Sequence, residues 1–215
     1  MRPLILNIFG KSSLKYFNHK YKIIFTHIPK TGGQSIANSL FNTRFPGHYS
    51  YKDYFWEYGE NINKYFFFTV VREPLGRIKS AYYYLLNSTK IKSDQNFANC
   101  YLSKYSSFDE FVRFGLKKDE IQNWIHFKTQ TSFLVDNYNQ INYDFIGKFE
   151  NLDNFINDLK PHIKSLYPNI DKINLKKINV SGSLNASLYL SKESKRIIND
   201  VYFDDFKNFN YPLLK

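Results

Sequence analysis

The sequence from residue 22 to residue 35 reads KIIFTHIPKTGGQS. Its first half is mostly apolar and rich in β-branched and aromatic residues, which is typical of a buried strand over residues 22–28. Pro29 ends that strand, and Thr31-Gly32-Gly33 gives the chain a flexible turn. From Gln34 onward the apolar residues recur at helical spacing, at Ile36, Ala37, Leu40 and Phe41. The stretch therefore predicts a strand, a glycine-containing loop and a helix.

A loop between the end of a strand and the start of a helix suits an anion. The first N–H groups of a helix have no intrahelical partner, and the helix dipole favours negative charge there. Lys30 adds a positive charge, and the hydroxyls of Thr31 and Ser35 add hydrogen-bond donors. A glycine pair alone is as typical of an ordinary turn, but the lysine and the hydroxyls beside it favour a phosphate site. We expect that site to consist of Lys30, Thr31, Gly32, Gly33, Gln34 and Ser35.

The order of these residues differs from that of a Walker loop. A Walker loop has a glycine, four further residues, and then Gly-Lys-Ser or Gly-Lys-Thr. In this chain Lys30 precedes both glycines. The order weakens the interpretation of the chain as a magnesium-dependent kinase or NTPase.

A second strand–loop–helix unit begins near Tyr65. Residues 65–71 are apolar β-formers, long enough for a central strand that is buried on both faces. Pro74 suits the first turn of the helix that follows. The inward side of this helix is marked by Ile78, Ala81, Tyr82, Leu85 and Leu86. Two such units predict an α/β fold with a parallel sheet and right-handed crossovers.

The second half of the chain predicts three more features. Residues 145–149 are typical of a third core strand. A helix from about Leu152 should be interrupted near Pro161, because proline lacks the N–H group that a helix interior needs. The last helix should begin near Ser191, and the pair Asp204-Asp205 should face solvent close to it.

Composition and charge fit one globular domain over residues 1–215, with 43% hydrophobic and 23% charged residues. The formal net charge is +11, and no acidic residue occurs before Asp53. Such a field attracts polyanions, namely nucleotide phosphates, anionic polysaccharide, nucleic acid or a membrane surface. Charge alone does not decide among these partners.

Cysteine usage and the N-terminal residues bear on the compartment. The single cysteine, Cys100, excludes an intrachain disulfide and a cysteine-based zinc cluster. The apolar run that ends at Phe9 is too short for a membrane span, and no cleavage site of a signal peptide follows it. We expect a soluble, cytoplasmic protein without a transmembrane segment; a peripheral contact with a membrane is left open.

Two motifs carry a resemblance to a known family. The run Ile28-Pro29-Lys30-Thr31-Gly32-Gly33 resembles the 5′-phosphosulfate loop of carbohydrate sulfotransferases of the heparan-sulfate O-sulfotransferase type, within the sulfotransferase family 2-like enzymes. The run Val71-Arg72-Glu73-Pro74, followed by Arg77 and by residues 80–84, resembles the 3′-phosphate motif of that family. The resemblance implies a P-loop-containing, nucleotide-hydrolase-like three-layer fold, with a central parallel sheet flanked by helices.

The resemblance also implies the donor and its ligands. These enzymes use 3′-phosphoadenosine 5′-phosphosulfate (PAPS) and release 3′-phosphoadenosine 5′-phosphate (PAP). No metal is expected, because the five histidines form no His-x-x-x-His pair and the acidic residues form no dense ligand cluster in the sequence. By this match Arg72 and Ser80 bind the 3′-phosphate, while Arg77 is a weaker candidate that is expected at the surface or in a structural role. An arginine fork and a hydroxyl suit a phosphate chemically.

Later segments are similar to further blocks of the family, namely residues 124–130, 147–152 and 179–181 and the ending from Tyr202 to Tyr211. By this similarity Asn179 and Ser181 contact the donor. The same similarity assigns acceptor contacts to Trp124, His126 and Gln130. The acceptor groove would be lined by residues of segments 44–62 and 88–135.

Sulfuryl transfer needs an acceptor hydroxyl in line with the sulfur, a base for its proton, and positive charge on the leaving phosphate. Lys30 is expected to stabilise the leaving PAP. His48 is the expected base, because related glycan sulfotransferases carry a histidine between the two donor motifs and imidazole titrates near working pH. His126 is the second candidate base, and His27 is expected to be a packed, hydrogen-bonded residue.

Three function classes therefore stand beside one another. The first is a PAPS-dependent sulfotransferase of bacterial type that acts on a hydroxyl of a carbohydrate, either a glycan or a glycolipid. The second is a P-loop kinase or NTPase-like nucleotide-binding enzyme, for which the Walker lysine and a magnesium-binding aspartate are missing. The third is a basic nucleic-acid-binding protein, which the charge and the aromatic content favour. We expect the first, with no nucleic-acid partner.

Overall fold

The computed structural model describes residues 13–43, 46–87, 89–175 and 189–215. Two of the predicted donor ligands, Asn179 and Ser181, lie outside the described residues. Contacts cluster in two units, of which the first comprises Met1–Val71 and Ser132–Val180 and the second Arg72–Thr131 and Ser181–Lys215. The prediction of one domain over residues 1–215 stays a prediction.

The described residues form a parallel sheet and a series of short to medium helices. The strands are β1 (Ile23–Thr26), β2 (Phe66–Val71) and β3 (Phe145–Lys148). The α-helices are α1 (Ser13–Tyr21), α2 (Gly33–Phe41), α3 (Tyr51–Tyr58), α4 (Pro74–Asn87), α5 (Lys92–Phe97), α6 (Phe108–Phe114), α7 (Asp119–Gln122), α8 (Thr131–Leu134), α9 (Phe155–Ile163), α10 (Lys192–Val201) and α11 (Phe203–Asn208). Three 3₁₀ segments (Gly59–Lys64, Phe149–Asn151, Pro168–Lys172) and a π-helical segment (Ala98–Leu102) complete the set.

The sheet of the first unit has the strand order β1-β2-β3, and both strand pairs are parallel. Its two faces are read off the alternation of side chains along β1. Ile23 and Phe25 pack into a core with α1, α2 and α9, whereas Ile24 packs into a second core with Tyr54 and Tyr58 of α3. Helices therefore flank the sheet on both faces, and the predicted α/β class is confirmed.

The second unit is helical among its described residues. Helices α4, α6 and α10 contribute Ile78, Phe111 and Ile198, which are fully buried. Helix α10 begins after Ser191, as predicted, and the Ser191 hydroxyl accepts a hydrogen bond from the Ser194 N–H. Helix α4, which follows Arg72, is therefore packed on the hydrophobic core of the second unit.

Two expectations from the sequence are wrong in detail. Pro161 does not interrupt its helix, since α9 continues to Ile163. The proline removes one N–H group two residues before the helix ends, while the buried Phe155 and Leu159 hold the helix on the core. Strand β3 is also less buried than the predicted core strand, since Phe145, Ile146 and Gly147 are half-buried and Lys148 is exposed.

No helix among the described segments combines the length and the apolar character that crossing a bilayer requires.

Candidate active site

The loop between β1 and α2 has an unusual backbone. Lys30 has φ 69° and Gly32 has φ 80°, so both lie in the left-handed region. For a residue with a β-carbon this region costs about 1–2 kcal/mol, and lysine is rarely found there. Strain of this kind is concentrated at functional sites, where the surrounding structure maintains it. The loop thus keeps a strained lysine where a glycine would fit more easily.

The hydroxyl-bearing residues of the loop are turned inward. Thr31 is fully buried, and its Oγ1 donates a hydrogen bond to the carbonyl oxygen of Ile28 at 2.9 Å. Ser35 is 4% exposed, and its N–H donates to the carbonyl oxygen of Gly32 at 3.0 Å. The Thr31 hydroxyl thereby closes the turn onto the strand end, and α2 begins directly after Gly32.

Gly33 is required by space, and Gly32 is required by its left-handed backbone together with a close contact. A β-carbon on Gly33 would lie 1.9 Å from Cδ2 of His27, and one on Gly32 would lie 2.9 Å from Cδ2 of Leu152. Distances of this size are not compatible with any side chain unless the neighbours move. The His27 ring therefore packs directly against the first residue of α2.

His27 also holds the segment that carries His48. Its Nδ1 lies 3.0 Å from the carbonyl oxygen of Gly47, while Nδ1 of His48 lies 2.9 Å from the carbonyl oxygen of His27. The centroids of the two imidazole rings are 4.4 Å apart. The predicted base thus lies one ring away from the start of α2, within the first unit. The prediction that His27 is packed and hydrogen-bonded is confirmed, since the residue is 6% exposed.

The hydrogen bonds assign the protons of these rings. A carbonyl oxygen only accepts, so Nδ1 is the donor in both histidines. In the neutral His48 ring the proton is on Nδ1, and the basic lone pair is therefore on Nε2. This is the tautomer that a general base needs when a main-chain carbonyl orients it.

The segment that carries His48 leads into helix α3, which is capped by Ser50 and attached to β1. Ser50 caps this helix in a capping box, in which the Ser50 N–H donates to Oδ2 of Asp53 at 2.7 Å and the Asp53 N–H donates to Oγ of Ser50 at 3.3 Å. The buried Tyr54 donates its hydroxyl to the carbonyl oxygen of Phe25 in β1 at 3.1 Å. Burial raises the pKa of Tyr54 well above its ordinary value, which keeps this donor protonated.

In the second unit the turn before α4 is held by side chains. The carboxylate of Glu73 accepts from the N–H of Leu75 at 2.8 Å and from the N–H of Gly76 at 2.6 Å, so it satisfies the first turn of α4. A β-carbon on Gly76 would lie 3.4 Å from Nε of Arg72. The Arg72 guanidinium therefore lies over this first turn. Ser80 is half-buried on the same helix.

Gln130 contacts Arg72 through both ends of its amide. Its Oε1 accepts from the Arg72 N–H at 2.8 Å, and its Nε2 donates to the Arg72 carbonyl oxygen at 2.8 Å. Gln130 is fully buried, and its own N–H donates to Oδ2 of Asp205 at 2.8 Å. The Gln130 amide is therefore bonded to the main chain of Arg72, and its predicted contact with an acceptor stays a prediction.

Arg77, His126 and Trp124 are packed inside the second unit. Arg77 is fully buried and donates to the carbonyl oxygens of His126 at 3.3 Å and Lys128 at 2.5 Å, which is a structural role. His126 is 6% exposed, and its Nε2 lies 3.3 Å from Oδ2 of Asp94. The Trp124 ring stacks on Phe97 with centroids 4.2 Å apart.

One expectation about this region is wrong. Asp204 is exposed, but Asp205 does not face solvent and is fully buried. Its carboxylate accepts from the N–H groups of Gln130 and Thr131 and from the Thr131 hydroxyl. A buried carboxylate is stable when its oxygens are satisfied in this way. The sequence holds no local signal for this contact, because the partners are 74 and 75 residues apart.

Sequence reasoning also missed the role of two other residues. His27 supports His48 through its carbonyl, and Gly47 is required at φ 73°, because a β-carbon there would lie 2.5 Å from Cε2 of Tyr49. The glycine directly before the candidate base was the available signal for a special backbone conformation.

Fold and site together define an α/β protein whose first strand leads through a strained, lysine-bearing loop into a helix. Residues 16–212 match the model of the sulfotransferase family, and the chain belongs to that family. It is therefore a transferase, and its family supports sulfuryl transfer as its reaction. The comparisons with curated proteins and with solved structures give no match. Among the residues that the structure describes, no group of three or more His, Cys, Asp or Glu side chains could hold a metal ion.

Proposed function

We propose that the chain transfers a sulfuryl group from PAPS to a hydroxyl of a carbohydrate, either a glycan or a glycolipid, as an enzyme of the heparan-sulfate O-sulfotransferase type. Family membership supports the transfer itself. The donor and the acceptor class come from the resemblance of the two sequence motifs, and the geometry of the loop and of His48 adds a physical argument.

The observation that carries the proposal is the placement of His48 beside the loop. The His48 ring contacts the His27 ring, which in turn packs on Gly33 at the start of α2. A helix start preceded by Lys30 is where an anionic sulfated phosphate is best stabilised. The proposed base and the proposed anion site are therefore neighbours within the first unit.

In the proposed reaction His48 accepts the proton of the acceptor hydroxyl on Nε2. The acceptor oxygen forms a bond to the sulfur, and the bond between the sulfur and the bridging oxygen of the 5′-phosphate breaks. The electron pair of the broken bond stays on that oxygen, and PAP leaves. Lys30 stabilises the charge that develops there, together with the main-chain N–H groups of the loop. His48 returns its proton to solvent after transfer.

The charge and the place of Lys30 support its assigned role. Its left-handed backbone alone assigns none, because Lys22 shares that conformation outside the loop. A positive charge next to the start of α2 stabilises the leaving oxygen, because a preorganised charge needs no reorganisation during the reaction. Gly32, Gly33, Gln34, Thr31 and Ser35 complete the proposed contact with the phosphosulfate group.

Arg72 and Ser80 are proposed ligands of the 3′-phosphate, and Asn179 and Ser181 are proposed as further donor ligands from the sequence resemblance. Between the two candidate bases the structure favours His48. His126 is almost fully buried and faces Asp94, so it would have to move before it could accept a proton from a substrate. Trp124 remains a proposed acceptor contact.

A ligand-dependent thermal shift tests the donor, and a transfer screen tests the reaction. PAP should raise the melting temperature without magnesium, because a ligand that binds only the folded state stabilises it. ATP with magnesium should do little, and duplex DNA should act only at low salt. Stabilisation by ATP with magnesium and none by PAP would favour a kinase or NTPase and overturn the proposal. Radiolabelled PAPS incubated with a panel of glycans and small hydroxyl compounds should label a carbohydrate.

A further inference from the structure

We infer that Gln130 is a positioning residue of the donor site, because it fixes the main chain of Arg72 and thereby aims the guanidinium at the 3′-phosphate of PAPS. This inference rests on the proposed function, in which Arg72 binds that phosphate. It gives Gln130 a role toward the donor through Arg72, without a contact to either substrate.

The amide of Gln130 matches the main chain of Arg72 atom for atom. Oε1 accepts from the Arg72 N–H and Nε2 donates to the Arg72 carbonyl oxygen, each at 2.8 Å. A carboxamide carries an acceptor and a donor in one plane, so it can bind both polar groups of a single residue. Because Gln130 is fully buried, these bonds are shielded from water, and breaking either leaves a buried polar group unsatisfied.

The segment that carries Gln130 is itself held at several points. Asp205 of α11 binds the N–H groups of Gln130 and Thr131. Upstream, the Arg77 guanidinium binds the carbonyl oxygens of His126 and Lys128, and the Tyr202 hydroxyl binds the carbonyl oxygen of Phe127 at 2.7 Å. A chain segment fixed through so many main-chain groups cannot follow a displacement of Arg72, and it therefore holds that residue in place.

Phosphate binding by Arg72 depends on how precisely the residue is positioned. An arginine that binds phosphate in a forked geometry must be oriented as well as charged. Its neighbour Glu73 is already fixed by two bonds to the first turn of α4. With Gln130 fixing Arg72 itself, the side chain starts from a defined backbone position, and less freedom is lost when the phosphate binds. A misplacement of about 1 Å can cost a hundredfold in such sites.

A double-mutant cycle on PAP affinity, measured by titration calorimetry, tests the inference. Gln130→Met keeps the size of the side chain and removes both bonds, and it should weaken PAP binding about tenfold. Arg72→Ala should weaken PAP binding between about tenfold and a hundredfold. In the Arg72→Ala background the added Gln130→Met substitution should have little effect, because the side chain that Gln130 aims is then absent.

Asn199→Leu is the matched control. The Asn199 amide likewise binds both polar groups of one residue within the same unit, since its Oδ1 accepts from the Leu214 N–H at 2.9 Å and its Nδ2 donates to the Leu214 carbonyl oxygen at 3.0 Å. This variant therefore also loses two bonds to the main chain, and its PAP affinity should equal that of wild type. If Gln130→Met does not fold, Gln130→Glu replaces it, since that variant keeps the shape and the acceptor but loses the donor to Arg72.

The outcomes distinguish a failure of the role of Gln130 from a failure of the proposed function. Equal and additive losses from Gln130→Met with and without Arg72 would show a general structural role and overturn the inference. A wild-type protein that does not bind PAP would overturn the proposed function itself. Unchanged PAP affinity in Arg72→Ala would remove Arg72 from the donor site and the inference with it, although the loop of the first unit could still bind PAP.

Discussion

The loop after β1 and the turn after β2 occupy corresponding places in the sequence, each between a strand and a helix, yet they are stabilised differently. The loop after β1 is closed by short-range contacts, such as Thr31 to Ile28, and by backbone in the left-handed region at Lys30 and Gly32. The turn after β2 depends on Gln130, which is 58 residues away from Arg72 in the sequence.

The difference predicts whether a substitution should change catalysis or the affinity for the donor. In the loop after β1 the conformation and the proposed chemistry belong to the same few residues, so a change there should act on catalysis directly. In the turn after β2 the proposed phosphate ligand is Arg72, while the main chain of Arg72 is bound by the buried Gln130 from a distant segment. A change there should act mainly on the affinity for the donor.

The largest effect should come from His48→Ala. Loss of the general base should lower kcat by about a thousandfold, whereas the affinity for PAP should stay at the wild-type value because the loop is unchanged. Steady-state transfer assays and calorimetry measure the two quantities. His162→Ala, an exposed histidine on α9, is the control and should keep full turnover. Undiminished turnover in His48→Ala would remove His48 as the base.

A lysine pair separates the strain of the loop from its charge. Lys30 and Lys22 both have a left-handed backbone, with φ 69° and φ 55°. Lys30→Gly should lower the transfer rate by about a hundredfold or more, since one preorganised donor to the leaving oxygen is lost. The free energy of unfolding of the Lys30→Gly variant should fall by no more than about 1 kcal/mol, and a rise is equally consistent, because glycine relieves the backbone strain.

Lys22→Gly is the matched variant, since it relieves the same kind of strain before β1 and should leave transfer unchanged. Urea denaturation gives the stability of both variants, and the transfer assay gives their rates. If both variants lose activity equally, the role of Lys30 at the leaving group is wrong.

A glycine pair compares the two regions in stability. A β-carbon on Gly33 would lie 1.9 Å from the His27 ring, whereas one on Gly76 would lie 3.2 Å from Oε2 of Glu73, a contact that a small shift of the carboxylate relieves. Gly33→Ala should therefore destabilise the fold by about 1–3 kcal/mol. Gly76→Ala should cost less than about 1 kcal/mol and should instead weaken PAP binding by a few fold, because it presses on Arg72 and Glu73.

Urea denaturation measures the stability of the two glycine variants, and calorimetry measures their affinity for PAP. Equal destabilisation by both variants would show that the turn before α4 is as rigid as the loop after β1. The comparison between a loop held by its own backbone and a turn held by distant side chains would then fail.

The same difference explains how much the sequence could predict. The strands, α2, α4 and the glycine loop follow from local periodicity and turn residues, and the structure places them where residues 22–41 and 65–86 predict them. The tertiary hold on Arg72 could not be predicted, because nothing in the local pattern of Gln130 or Asp205 indicates a partner elsewhere in the chain. Asp205 was expected in solvent for that reason, although it is fully buried.

Pro161 is a second position at which tertiary packing overrides the local sequence signal. Local propensity predicts a break, but a well-packed helix tolerates one missing N–H group near its end. His48 stands between these cases. Its position beside the loop depends on a contact between His27 and Gly47, which are 20 residues apart, and only the family resemblance indicated it as a candidate base.

The smallest predicted effect concerns a long-range hold of the same type, in which Oδ1 of Asp109 accepts from the N–H of Ser191 at 2.7 Å. Burial raises the pKa of Asp109. Hydrogen bonds from Ser191 and Ser194 and the charge of Arg113 together lower it by more, so the pKa lies below its ordinary value of 3.8. A lowered folded-state pKa gives stability that is present above the unfolded-state pKa and is lost as pH falls through the folded-state pKa.

Asp109→Asn should accordingly be less stable than wild type at pH 7, by less than about 0.5 kcal/mol, because solvent screens a partly exposed charge. The gap should close below about pH 4, as the wild-type carboxyl takes up its proton. Urea midpoints measured from pH 7 to pH 3 test this, with the exposed Asp204→Asn as the control. A gap that is independent of pH would mean that the contact acts through its geometry alone, and that charge adds nothing to the way distant side chains hold the second unit.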